Sequence, residues 1–140
     1  GDVHSLPYPD ASFDLIFSYS CFHHWEDPVL GLQECGRVLK VGGVLYLVDT
    51  YPDVKELLPQ FAQQLDEYSF LEIVKKAVDE SIGPSDIEQL LTRASLDDYE
   101  LQPVDFSEEE LVAGIDYINY DHQLVLESPR PTLWELIYRK

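Results

Sequence analysis

Two short apolar segments with a helical pattern between them dominate the first 50 residues. Residues 13–18 (FDLIFS) follow a turn-rich stretch, and residues 44–48 (VLYLV) form a second apolar run. Short apolar runs bounded by turn residues are typical of buried strands. Between them, apolar positions at helical spacing predict a helix over residues 28–39, with Asp27 as its N-cap and Pro28 at its first position. This order predicts a βαβ unit, in which two parallel strands are joined by a right-handed crossover.

The same patterns predict the end of this helix and the elements after it. We expect Lys40 to complement the helix dipole at the carboxyl end and Gly42–Gly43 to stop the helix. Apolar spacing predicts a second helix that Pro59 interrupts, and capping-box sequences at Ser69 and Ser85 predict two more. The predicted ranges are 54–68, 69–79 and 85–96 for these helices and 101–106 and 133–138 for two later strands, with a further cap at Ser107.

The composition is that of one globular domain. The chain has 140 residues, 45% of them hydrophobic, and no apolar run approaches the roughly 20 residues that a membrane-spanning helix needs. We therefore expect a cytoplasmic protein. Cys21 and Cys35 form no CxxC pair, which argues against a metal cluster or a disulfide framework. Because the sequence contains no Met, we expect it to be a trimmed part of a longer product.

The charge balance is strongly acidic. The chain carries 27 Asp and Glu against 9 Lys and Arg, for a formal net charge of -18. Nucleic acids and anionic membranes are bound mainly through Lys and Arg, so we expect neither as a partner. A solvated acidic surface is the ordinary interpretation of such a charge, and adaptation to high salt or a cationic partner are the alternatives.

Four short motifs occur one after another in residues 1–50. They resemble the second half of the class I S-adenosylmethionine-dependent methyltransferases, in particular the small-molecule group related to ubiquinone and menaquinone biosynthesis. The resemblance implies an α/β fold with a partial Rossmann-like sheet, in which parallel strands are joined by a carboxyl-terminal antiparallel strand. It also implies one domain over residues 1–140, with helical insertions at 51–84 and 107–131. The motifs are GDVHSLPY at 1–8, FDLI at 13–16, FHH at 22–24 and ECGRVLKVGG at 34–43.

The resemblance also implies a cofactor and its ligands. S-adenosylmethionine would be the cofactor of the complete protein, with the Asp2 carboxylate on the adenine amino group and the Val3 backbone beside the ring. Ser18 would lie near the methionine arm. A turn-forming Asp2 and a strand-ending Ser18 hydroxyl are the structural alternatives. The family's glycine-rich GxGxG turn does not occur in this sequence, so we expect the chain alone to bind the cofactor weakly and to be inactive.

Two adjacent histidines are the candidate catalytic residues. His23 and His24 come after the first predicted strand, and histidine is the side chain best suited to act as a general base near neutral pH. A structural role, especially for His24, is the alternative. A metal site is not expected, because adjacent histidine side chains diverge and neither Glu26 nor Asp27 is spaced to complete one.

The remaining polar and aromatic residues have structural interpretations. Arg37 is expected to make a structural contact, and both cysteines are expected to be small buried residues. Three residues of the later part either line a substrate pocket or pack in the core, and packing is favoured. They are Tyr117, Tyr120 and His122.

The leading functional hypothesis is part of a methyltransferase that acts on a small-molecule acceptor. The alternative is a non-catalytic interaction domain that uses its acidic surface. We also expect a homodimer, because the strand at 13–18 would present an apolar edge that neither Pro nor Lys protects. Exposed apolar positions at Leu30, Leu32 and Leu39 would join this interface.

Overall fold

The secondary structure comes from a computed structural model that describes residues 1–59, 68–104 and 133–140. Predictions for residues 60–67 and 105–132, including the Ser107 cap and the three pocket candidates at 117, 120 and 122, lie outside these residues. The elements are β1 (Phe13–Tyr19), a first 3₁₀ helix (Phe22–His24), α1 (Pro28–Val38), β2 (Leu39–Thr50), a second 3₁₀ helix (Pro52–Leu57), α2 (Tyr68–Asp79), α3 (Pro84–Ala94), β3 (Tyr99–Val104) and β4 (Leu133–Arg139).

The four strands form one sheet in the order β1-β2-β4-β3. β1 pairs with β2 in parallel, with Ile16 opposite Leu45 and Ser18 opposite Leu47. β4 runs antiparallel to both of its neighbours, β2 and β3. The predicted α/β fold, with parallel strands and a carboxyl-terminal antiparallel strand, is therefore confirmed.

The start of α1 is as predicted, whereas its end is not. The Asp27 carboxylate caps the helix by accepting a hydrogen bond from the backbone N–H of Leu30 at 3.0 Å. The helix ends at Val38 and β2 begins at the next residue, so the glycines lie inside the strand instead of stopping the helix. Gly42 has a φ of 79°, a conformation that glycine adopts without steric cost.

Lys40 was expected to complement the dipole of α1, and this prediction is wrong. Its ammonium group lies 2.7 Å from the Asp14 carboxylate across the β1–β2 pair. The cation at the helix end is instead Lys140, at the other end of the sequence. Its Nζ donates to the backbone oxygens of Gly36 and Leu39, each at 2.7 Å.

The later helices begin close to their predicted positions but with different caps. α2 starts at Tyr68, one residue before the predicted Ser69. The N-cap of α3 is Gly83 and makes no side-chain hydrogen bond, so the capping box predicted at Ser85 is wrong. Pro84 occupies the first turn, where a missing N–H costs nothing.

One face of the sheet carries the hydrophobic core. Alternate residues of β2 and β4 face one another across the sheet and are buried beneath α1 and α3, as period-2 alternation requires. Leu32 and Leu39 are fully buried in this core, so the prediction that they join an exposed dimer interface is wrong. Leu30 alone of that group is exposed, at 41%. The core includes Phe22, Leu32, Cys35, Leu39, Leu45, Leu47, Ile87, Leu91, Trp134, Leu136 and Tyr138.

The opposite face of β1 is exposed. Leu15, Phe17 and Tyr19 share that face and retain 61%, 57% and 52% of their surface, with Phe17 against the ring of Tyr46. β1 is also an edge of the described sheet. Homodimer formation through this edge stays a prediction. Within the described ranges, no helix is both long and apolar enough to cross a membrane.

Candidate functional site

Polar side chains gather where β1 and β2 end. The carboxyl ends of parallel strands meet at one edge of the sheet, the usual place for a ligand in an open α/β fold. Ser20 comes directly after β1 with a φ of 52°, and its N–H donates to the Val48 oxygen of β2 at 2.8 Å. This left-handed residue turns the chain sharply into the first 3₁₀ helix, which carries both histidines.

His23 is fixed by a buried carboxylate. Its Nδ1 lies 2.6 Å from Asp49 Oδ1, and its backbone N–H donates to Asp49 Oδ2 at 3.2 Å. The two side chains retain only 3% and 1% of their surface. The N–H of Thr50 also donates to Asp49, at 2.6 Å. Buried carboxylates are costly unless they are fully hydrogen-bonded, and these three donors satisfy that requirement.

His24 is tied to the end of a distant helix. Its Nδ1 lies 2.9 Å from Oε2 of Glu80, which comes directly after α2, and the His24 side chain is 53% exposed. The rings of His23 and His24 have centroids only 4.0 Å apart. The expectation that adjacent histidine side chains diverge is therefore wrong for this pair.

A cavity of about 430 Å³ opens beside these histidines. Its lining combines the amino-terminal residues of the chain with the segment after β1, so residues far apart in sequence meet here. It includes two of the three predicted cofactor ligands and one of the two predicted catalytic histidines. The lining residues are Gly1, Asp2, Val3, His4, Cys21, His24, Trp25 and Glu26.

His4 holds Asp2 at the mouth of this cavity. Its Nε2 accepts the backbone N–H of Asp27 at 3.1 Å, so the ring proton lies on Nδ1 and is donated to Asp2 Oδ1 at 2.7 Å. The N–H of His4 donates to the same oxygen at 2.9 Å. These bonds, the backbone one first, lower the pKa of Asp2 and keep its carboxylate ionised.

Close backbone packing positions Trp25 on the cavity wall. A Cβ at Gly31 of α1 would lie 2.6 Å from the Trp25 ring, a distance that real atoms do not adopt. The ring also packs against Phe22, with centroids 4.9 Å apart. A side chain at position 31 would therefore displace the ring.

The predicted site residues divide into two groups. Asp2, Val3 and His24 line the cavity. Ser18 does not, because it faces the helix-covered side of the sheet opposite Leu47. His23 lies behind the lining, held by its carboxylate partner. Their roles stay predictions.

Sequence reasoning missed the three residues that hold Asp2, His23 and His24 in place. Asp49 had a usable signal, because it is the one carboxylate that closes an otherwise apolar strand. His4 had a weaker signal, the Asp-x-His spacing with Asp2. Glu80 had none, since only the folding of α2 brings it to His24.

Arg37 makes the predicted structural contact. Its guanidinium donates to both oxygens of Glu34, at 2.7 and 2.8 Å, and to the backbone oxygens of Leu6 and Tyr8. Glu34 in turn accepts the Leu6 N–H at 3.0 Å. This network ties α1 to the loop that precedes β1.

Known proteins match part of the chain. The methyltransferase domain family matches residues 1–47. The resemblance to class I S-adenosylmethionine-dependent methyltransferases is confirmed. Malonyl-[acyl-carrier protein] O-methyltransferase 1 of Coxiella burnetii is 48% identical over 63 residues, which are 44% of this chain and 22% of that protein. The chloroplastic 2-methyl-6-phytyl-1,4-hydroquinone methyltransferase 1 of Oryza sativa subsp. japonica is 46% identical over 48 residues, 34% of this chain and 14% of that protein.

The methyltransferase fold extends beyond the matched segment. A crystal structure of a S-adenosylmethionine-dependent methyltransferase from Thermotoga maritima, described as a possible histamine N-methyltransferase, aligns with a TM-score of 0.62. The alignment covers 100% of this chain and 62% of that one, at 18% identity. The chain thus spans less than two thirds of this structure and of the matched relatives.

Proposed function

We propose that the chain forms the part of a S-adenosylmethionine-dependent methyltransferase that receives the adenine end of the cofactor and a small-molecule methyl acceptor. The observation that carries the proposal is the cavity at the carboxyl end of β1, which brings Asp2 and Val3 together with His24. Ligands of open α/β sheets bind at this edge. S-adenosylmethionine would supply an electrophilic methyl group there.

The residues at the cavity mouth fit an adenine ring. Its exocyclic amino group donates hydrogen bonds and needs an acceptor, which the ionised Asp2 carboxylate provides. Both hydrogen bonds from His4 use Oδ1, so Oδ2 meets no competition from His4. Val3 is half-buried against the core and offers an apolar surface beside the ring.

His24 is the histidine that can reach a methyl acceptor. Methyl transfer is an in-line displacement in which positioning contributes most, and a general base helps only where the acceptor must lose a proton. His24 lines the cavity and is half-exposed, whereas His23 is buried against Asp49. We therefore assign the general base to His24 and a positioning role to His23.

The acceptor is determined outside the segment that matches the family. The two relatives above are named for a hydroquinone and for a malonyl group on a carrier protein, although each is nearly half identical to this chain over the 48 and 63 residues that align. The segment at 51–84 lies beyond the residues that match the family, and its Glu80 contacts His24 at the cavity edge. We propose that this segment shapes the acceptor site.

The cofactor part of the proposal is tested by nuclear magnetic resonance with S-adenosylhomocysteine. We expect the amide signals of Asp2, Val3 and Glu26 to shift on titration. Asp2→Asn should weaken binding several-fold, because the charge and one oxygen of the acceptor are lost. Asp97→Asn is the matched control, since Asp97 is exposed and does not line the cavity.

The same titration separates this proposal from the alternative of an acidic interaction domain. Shifts that are absent, or spread evenly over the acidic surface, would contradict a cofactor site at Asp2. The acceptor is tested with the complete protein, because the chain alone is expected to be inactive, by transfer of a tritiated methyl group to phenols, hydroquinones and carboxylic acids. Label that appears only in protein or nucleic acid would contradict a small-molecule acceptor.

A further inference from the structure

The structure brings together three groups that can bind a metal ion. We propose that His23, His24 and Glu80 bind a divalent transition-metal ion, with Zn²⁺ the best match. One ligand atom from each residue lies within 4.8 Å of the other two. Two imidazoles and a carboxylate are a ligand set that zinc accepts, with a fourth position for water or another oxygen ligand.

Two features of the local fold favour metal binding at this site. The first 3₁₀ helix turns the adjacent histidine rings toward one another, with their centroids 4.0 Å apart. Glu80 already approaches His24, at 2.9 Å. In a tetrahedral zinc site neighbouring ligand atoms lie about 3.4 Å apart, because each bond to the ion is about 2.1 Å long. Small side-chain movements would therefore complete the site.

Asp49 is the strongest independent support. A histidine that binds a metal almost always donates its second ring N–H to a carboxylate or carbonyl, which fixes the tautomer and orients the ring. Asp49 Oδ1 engages Nδ1 of His23 at 2.6 Å in a buried setting. In the proposed site Nδ1 stays with Asp49 and Nε2 binds the ion.

His24 can act as the general base assigned above only while no metal ion is bound. If Nδ1 binds the ion, Nε2 carries the ring proton and accepts none. The metal proposal is tested by binding alone and does not depend on methyl transfer. Its failure would leave the base assigned above in place.

The experiment is calorimetric titration of the whole chain with Zn²⁺, supported by absorption spectra of the Co²⁺ complex. We expect one site with a dissociation constant below the micromolar range and Co²⁺ bands of a four-coordinate site. A large excess of Mg²⁺ should not displace the ion, because Mg²⁺ prefers oxygen ligands alone. Displacement by Mg²⁺ would show binding to the acidic surface and overturn the proposal.

Substitutions locate the site. His24→Ala and Glu80→Gln change exposed side chains, and each should weaken Zn²⁺ binding at least tenfold with an unchanged circular dichroism spectrum. Asp49→Asn should weaken it about 10- to 100-fold, as loss of a ligand's hydrogen-bond partner does. His4→Gln is the matched control and should leave the affinity unchanged. Equal affinity in Glu80→Gln and the unsubstituted chain, or no Zn²⁺ binding at all, would overturn the proposal.

Discussion

At the amino ends of β1 and β2 the charged side chains bind one another and main-chain oxygens, whereas at the carboxyl ends the polar side chains border a cavity. Lys140 and Arg37 donate to the carbonyl oxygens of α1 and of the loop before β1. At the opposite end, Asp49 fixes His23, and Asp2 and His24 line the cavity. The carboxyl ends of the strands are where open α/β folds bind their ligands.

The two ends differ in which polar groups remain available to bind a ligand. Contacts to main-chain oxygens stabilise the fold and leave few groups for a ligand. At the carboxyl ends, Oδ2 of Asp2 and the half-exposed ring of His24 remain accessible beside the cavity. We therefore expect the two ends to differ in chemical reactivity and in the effect of substitutions on stability.

The two cysteines should show the largest difference. Cys21 comes after β1 and is exposed, whereas Cys35 of α1 is buried and its pKa is raised to about 12, first by burial and then by the nearby Glu34 charge. The thiolate is the reactive form, so very little of Cys35 is in the reactive form at pH 8. We expect iodoacetamide to modify Cys21 more than a thousandfold faster in the native protein.

Peptide mass spectrometry over time measures both rates. Cys21→Ser and Cys35→Ala variants assign them to single thiols, and both thiols should react at similar rates in denaturant. Similar rates in native buffer would contradict the burial of Cys35. Cys21 itself corrects a prediction, because both cysteines were expected to be buried and only Cys35 is.

Asp49→Ala should cause the next largest effect. It removes the acceptor of three hydrogen bonds, from the His23 ring and backbone and from Thr50, in a region closed to water. Leaving such buried groups unpaired should lower the free energy of unfolding by about 3 kcal/mol. Urea unfolding followed by circular dichroism measures the change.

The control for this prediction is Asp14→Ala at the amino end of β1. Asp14 is 82% exposed and pairs with Lys40 at 2.7 Å, so its loss should cost less than about 1 kcal/mol. Equal losses in the two variants would mean that Asp49 is not held as the structure shows.

The contrast also explains how much could be predicted from the sequence. β1 and α1 depend on local patterns, an apolar run or a cap such as Asp27, and their ends were predicted to within one residue, whereas β2 begins five residues before its predicted start. The site depends on pairs that the completed fold brings together. Nothing near His24 in the sequence indicates Glu80, and nothing near α1 indicates that Lys140, and not Lys40, reaches its end.

The Glu34–Arg37 contact should resist acid. Hydrogen bonds first from Arg37 and then from the Leu6 N–H lower the pKa of Glu34 from 4.5 to about 2. Because the folded-state pKa is depressed, its contribution to stability is fully present above about pH 4.5 and is lost as the pH falls toward 2. Carbon-13 resonance of the Glu34 carboxylate should show this low midpoint.

Arg37→Met provides the comparison. It keeps an aliphatic side chain but removes the guanidinium, and the pKa of Glu34 should rise by about one unit or more, a tenfold change in proton affinity. The Leu6 N–H remains and should keep the pKa below its ordinary value. A midpoint near the ordinary value in the unsubstituted protein would show that the contact does not persist in solution.

Lys140→Met should have the smallest effect of the four. The variant retains an apolar stem but loses the ammonium group that donates to the Gly36 and Leu39 oxygens at the carboxyl end of α1, each at 2.7 Å. A cation at this end stabilises a helix both by hydrogen bonding and through its dipole, so we expect a loss of about 1 kcal/mol in the free energy of unfolding. Lys76→Met is the matched control, because Lys76 lies 3.9 Å from Glu80 in an exposed pair and should contribute no more than about 0.5 kcal/mol. Hydrogen exchange should localise the Lys140 effect to the last turn of α1. A loss no larger than that of Lys76→Met would show that Lys140 does not stabilise the amino end of the sheet. The charged side chains at the two ends of the strands would then differ less in function than the structure indicates.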